Sequence, residues 1–155
     1  MKNTKFILFS LLFLLVLFAC TDDQCHLDTE TLLKVEMSVN DPSTPGKYID
    51  SLAVYAPEWT DSLFYKNEGE GKSLWLMLSP QQDTTTFIFT SNLVEQNDTL
   101  NFIYQRKQTL LSAECGFVTH YTIDTILHTK NYIDSLFLEK NSITTDEQGL
   151  VKIYF

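Results

Sequence analysis

Apolar and polar positions alternate through residues 33–39: Leu33, Val35, Met37 and Val39 fall on one side, Lys34, Glu36 and Ser38 on the other. A period of two is the mark of a half-buried strand. Leu74, Leu76 and Leu78 alternate with Trp75 and Met77, which reads as a strand buried on both faces. Residues 85–90 and 100–104 continue the pattern, and 151–155 close the chain as a last strand. Breakers separate these runs at residues 40–46, Pro57, 67–71, Pro80 and 146–149. Only the apolar run before residue 20 escapes this pattern, and no later stretch carries a helical period. Short strands at intervals of roughly 8–12 residues predict an all-β chain, an antiparallel β-sandwich of immunoglobulin-like architecture. A compact β-barrel is the alternative.

The early run has its own logic. Lys2 and Lys5 precede apolar residues 6–9 and 11–19, broken only by Ser10. It falls short of the roughly 20 apolar residues a membrane span needs, and a basic start with a short apolar centre is the pattern of an export signal. It ends in Leu17-Phe18-Ala19-Cys20, which resembles a bacterial lipobox. That resemblance implies cleavage before Cys20, a diacylglyceryl group on its sulfur, and a palmitate-type acyl chain on the new amino terminus. One chain anchors marginally, at about 0.8 kcal/mol per buried methylene, so several are needed for a firm hold. The alternative is an ordinary secretory signal. The expected organisation is a signal over 1–19, a lipidated tether over 20–32 and one domain over 33–155.

The chain carries a formal charge of −9. Loss of residues 1–19 removes two lysines and no acids, leaving −11. A chain this acidic is not built for nucleic acid, whose phosphates demand Lys and Arg. It is also repelled by anionic headgroups, so membrane attachment falls to the lipid. Asp22 and Asp23, just after Cys20, resemble the export signal that sends some Bacteroidota lipoproteins to the outer face of the outer membrane. The expected address is therefore the outer membrane, surface display favoured over a periplasm-facing orientation.

With Cys20 lipidated, Cys25 and Cys115 remain. Two cysteines in an oxidising compartment read as a disulfide, and two free thiols are the alternative. A bonded Cys25 would keep the domain within about 17 Å of the lipid.

One hexapeptide nearly repeats: KYIDSL at 47–52 and NYIDSL at 131–136. Six of the eleven aspartates are followed by Ser or Thr and then an aliphatic residue or Thr. Asp and Ser bond locally to backbone and favour turns, so the triplet suits the start of a strand. The charge of the Asp also discourages edge pairing. The triplet further resembles the acceptor motif for O-glycosylation of exported Bacteroidota proteins, which implies acceptors at Ser51, Ser62, Thr84, Thr99, Thr125 and Ser135. Asn97 and Asn101 flank the Thr99 side, so that hydroxyl is expected in water. Ile123 and Leu127 flank Thr125, which argues for burial there.

Catalytic patterns are lacking. His120, Asp124 and His128 would line one face of a helix like a zinc site, but their surroundings are strand-like, and four strand residues span about 13 Å. No phosphate loop, His-Glu-x-x-His, Gly-x-Ser-x-Gly or Cys-x-x-Cys occurs. Residues 146–149 are too brief for a calcium loop and read as a turn. Trp59 and Trp75 are candidates for a sugar platform, though such residues more often serve core or rim. No cofactor is expected.

The lipobox, Glu114-Cys115-Gly116-Phe117, residues 131–136 and the terminal Lys152-Ile153-Tyr154-Phe155 together resemble a family of small Bacteroidota lipoproteins of unknown function. The resemblance implies lipidation, a Cys25–Cys115 pair and an all-β domain, and no activity. The expected role is a non-enzymatic binding or assembly module, with an envelope protein or glycan as partner. An envelope glycan hydrolase working through carboxylates is the alternative.

Overall fold

The structure, a computed structural model, describes residues 25–38, 52–59, 63–66, 73–91 and 97–155. Residues 1–19, Cys20, Ser51 and Ser62 lie outside them. Ten strands are described: β1 (Leu32–Ser38), β2 (Ala53–Tyr55), β3 (Leu63–Lys66), β4 (Ser73–Met77), β5 (Thr84–Thr90), β6 (Asp98–Ser112), β7 (Gly116–His128), β8 (Ser135–Lys140), β9 (Ser142–Ile143) and β10 (Gly149–Tyr154). One sheet runs β4-β1-β10-β8 and the other β3-β2-β5-β6-β7-β9. The two face each other as a sandwich and do not close into a barrel.

The alternating runs set the inner faces. Leu33 and Val35 of β1, Leu74 and Leu76 of β4, and Val151 and Ile153 of β10 meet Val54, Phe87, Phe89, Leu100, Phe102, Tyr104, Tyr121 and Ile123 of the larger sheet, all buried. Phe87 meets Phe102 edge-on at 5.7 Å and Tyr104 meets Tyr121 at 5.3 Å. Such pairs add about 0.5–1.5 kcal/mol each beyond simple burial.

Two sequence expectations change. Trp75 and Met77 are 41% and 56% exposed, so β4 is buried on one face only. No described element covers the outer side of its sheet. The sandwich also contains one parallel pair, β1 with β10, in register from Leu33 opposite Gly149 to Ser38 opposite Tyr154. Parallel neighbours need a long crossover, and here the rest of the domain is the crossover. The first and last strands thus lie side by side at the centre of the smaller sheet, where neither alternation pattern could place them.

Three of the four described Asp-Ser/Thr triplets mark strand starts, while Asp124-Thr125 lies inside β7. Thr84 opens β5, Asp98 opens β6 and Ser135 opens β8. Asp98 departs from the expected role at an edge: it is fully buried in a central strand. Its Oδ1 accepts the Thr129 hydroxyl at 2.6 Å and the Asn131 N–H at 2.9 Å, and its Oδ2 accepts the Tyr132 and Ile133 N–H groups, both at 2.8 Å. Burial alone would raise its pKa; those four bonds outweigh it and hold the carboxyl below the ordinary range. The second hexapeptide is therefore, at its front end, the backbone cradle of a distant carboxylate. That clamp turns the chain from β7 in one sheet to β8 in the other.

Thr144 caps the turn before β10, its N–H donating to the Glu147 carbonyl and its hydroxyl accepting the Glu147 N–H. The turn predicted at residues 146–149 falls between β9 and β10, its last residue opening β10.

Candidate functional site

The hairpin of β6 and β7 is the longest of the described elements, 15 and 13 residues in its two strands. β5 pairs with β6 only from Asp98 to Ile103, and β9 pairs with β7 only at Tyr121 and Thr122. Beyond them, residues 105–112 and 116–120 have only each other as strand partners, and the arm projects by roughly 25 Å. A bare two-stranded ribbon is marginal in water. Here the Cys25 and Cys115 sulfurs lie at bonding distance, with their Cα atoms 4.8 Å apart. Thr31 lies beside the Tyr121 hydroxyl, so residues 25–31 run from the tip of the arm back to its root.

The tip explains the Glu-Cys-Gly segment. Ala113, Glu114 and Cys115 form the turn, the Cys115 N–H donates to the Ser112 hydroxyl at 3.0 Å, and Gly116 takes φ +69°. That left-handed backbone costs an L-residue about 1–2 kcal/mol. The face that carries Tyr104 and Tyr121 inward continues along the arm through Arg106 opposite Tyr121 and Gln108 opposite Thr119 to Leu110 opposite Phe117. The smaller sheet no longer reaches that far, leaving Leu110 56% and Phe117 71% exposed.

The outer face of the smaller sheet is the second candidate. Trp75 and Met77 stand on edge strand β4 and Phe137, 56% exposed, on edge strand β8. Between them Lys34 bonds Glu36 at 2.6 Å and Lys152 bonds Glu139 at 2.5 Å. The Lys34 bond lowers the Glu36 pKa, and the Glu139 bond raises that of Lys152. Apolar edges thus flank a paired, near-neutral centre. A cavity of about 330 Å³ opens beside it, lined by Lys34, Lys140, Asp146, Glu147 and Leu150 among others.

Trp59 does not join Trp75. It packs against the core, edge-on to Phe87 at 6.5 Å. His120 and His128 lie along β7 opposite Lys107 and Leu100, and no group of three or more potential metal ligands occurs among the described residues.

The described acceptor candidates differ in access. Thr84 and Thr99 are half-buried. The Asp83 carboxylate is held by Arg106 at 2.6 Å, and the Thr99 N–H donates to the Thr129 hydroxyl. Thr125 and Ser135 are exposed, as are Asp124 and Asp134 before them. The expected burial of Thr125 is wrong for a specific reason. Ile103 pairs with Thr125 but Tyr104 pairs with Ile123, so Asp124 is an extra residue in β7. One inserted residue reverses which face every later side chain takes: Ile123 is buried, and Thr125 and Leu127 point out.

Sequence reasoning missed the buried Asp98 and the exposed Leu110–Phe117 pair. The first hides among other Asp-Thr triplets. The second lies outside the alternating runs, and nothing local says where the covering sheet ends.

The model of the family of unknown function DUF6452 matches residues 51–155. No curated protein and no solved structure matches the chain.

Proposed function

The chain belongs to the DUF6452 family of unknown function, and we propose that it is a lipid-anchored, non-enzymatic binding module of a bacterial outer membrane. One observation carries the binding reading: the outer face of the smaller sheet exposes Trp75, Met77 and Phe137 around ion pairs already satisfied within the sheet. Aromatic residues and Met are enriched where proteins meet partners, and here they stand on both edges of one exposed face. The partner is an envelope protein or glycan that lays a flat surface on this face. Support for a non-catalytic role comes from the carboxyl groups. Among the described carboxyl groups, the shifts that stand out, at Glu36, Asp98 and Glu114, are all downward, whereas the general acid of a glycan hydrolase needs an upward shift.

The anchor is the lipidated Cys20, read from the lipobox. Surface display is favoured by Asp22 and Asp23. O-glycosylation, if the chain carries it, falls first on Thr125 and Ser135, where both motif residues meet solvent. The test is crosslinking and pulldown from intact cells of the native host, with wild type beside Trp75→Ala/Phe137→Ser. A partner captured by wild type and lost in the double variant is the expected result. A partner retained by the double variant removes the sheet face from consideration. Intact mass of the same material reports lipid and sugar separately.

A further inference from the structure

We propose that the tip of the β6–β7 arm rests in the lipid–water interface, Leu110 and Phe117 forming an apolar foot that fixes the domain's orientation on the bilayer. The proposal rests on the lipidation of Cys20.

Three observations carry it. Leu110 and Phe117 are directly opposite each other across the ribbon, so their side chains stand on one face, 56% and 71% exposed. They are close to the end of the hairpin that holds Cys115, and Cys115 is bonded to Cys25. Cys25 is five residues past Cys20, a reach of at most about 17 Å. The bond therefore ties the lipid to this end of the molecule and no other. Leu27, two residues past Cys25, is 53% exposed and adds to the same apolar end.

A second chemistry points the same way. The chain is strongly acidic, and the arm tip itself carries Glu114, so charge does not draw this end to an anionic surface. What remains for contact is apolar side chains of the kind that enter a headgroup boundary, Phe and Leu. The arm has a root fixed in the sandwich and a tip fixed by the disulfide, so it would hold the domain at a set height rather than swing on a loose tether. The outer face of the smaller sheet then stays clear of the bilayer for its partner.

The experiment uses the full chain reconstituted into phosphatidylethanolamine and phosphatidylcholine vesicles containing acyl-brominated lipid. Phe117→Trp places an indole at the tip, and Leu127→Trp places one at the root, on the same strand about 33 Å away. Both positions are exposed, so neither change disturbs the core. Wild type supplies the background of Trp59 and Trp75. The expected result is at least twofold stronger quenching for Phe117→Trp than for Leu127→Trp after background subtraction. Equal quenching, or none at either position, overturns the foot. Intact mass run in parallel reports the lipid on its own. A chain without lipid refutes the anchor, and the quenching of that chain with added vesicles still decides the tip. A tip shielded only when an envelope protein extract is added also overturns the proposal, because it assigns the patch to a protein.

Discussion

The Ile133 N–H donates to the Asp98 carboxylate at 2.8 Å across 35 residues of sequence. The bond joins the first residue of β6 to the segment that leads into β8, and with its three companions it fixes the passage from one sheet to the other. Ile133 itself is 1% exposed, so the clamp also seats a core side chain.

Asp98→Ala leaves three backbone N–H groups and the Thr129 hydroxyl without their acceptor. Buried donors left unmet cost about 1–3 kcal/mol each, so a loss of order 3–5 kcal/mol is expected in urea unfolding. A change below 1 kcal/mol would mean that water replaces the carboxylate freely.

The same group predicts an acid limb. Its folded pKa is lowered, below an unfolded value of about 3.9. The stability it contributes is complete above that unfolded value and is lost as pH falls through the folded one. Asp98→Asn should therefore be less stable at neutral pH and flatter below pH 4 than wild type. Glu36 and Glu114 are lowered too, so some slope persists. Thermal melts from pH 2 to 7 give the comparison.

Gly149 opens β10 in a tight place. A Cβ there would meet Ile143 Cγ1 at 2.6 Å and Leu33 Cδ1 at 3.0 Å. Gly149→Ala should cost about 1–3 kcal/mol by overpacking. Pairing it with Ile143→Ala removes the clashing atom, so the two losses should sum to less than their separate values. Simple additivity in chemical denaturation would place the strain elsewhere.

Cys25 and Cys115 are separated by 90 residues. Closing a loop of that length stabilises by about 4–5 kcal/mol in the chain-entropy model. Cys25→Ser/Cys115→Ser should lower the melting temperature, and hydrogen exchange should quicken first at residues 105–112 and 116–120, where the ribbon lacks further strand partners. Uniform quickening throughout the sandwich would contradict an arm held chiefly by its tip.

Trp75→Ala/Phe137→Ser removes exposed side chains from the smaller sheet's outer face. Stability should change by less than about 1 kcal/mol, which makes the pair a clean probe of binding. A large loss of stability would show that the face packs against something in the folded chain.

Alternation along the chain was enough to specify an all-β sandwich and most of its inner face, because period two follows from strand geometry whatever the partner. The cysteine count indicated the Cys25–Cys115 pair, and the Asp-Ser/Thr triplets the starts of β5, β6 and β8. Pairing needed the folded molecule. Nothing local says that β1 lies parallel to β10, that Asp98 gathers the N–H groups of residues 131–133, or that one extra residue at Asp124 turns Thr125 outward. Whether a side chain is covered depends on how far the opposite sheet extends. Trp75 and Met77 read as core residues by pattern but stand on a sheet face that no described element covers, and Leu110 and Phe117 are exposed where the opposite sheet ends.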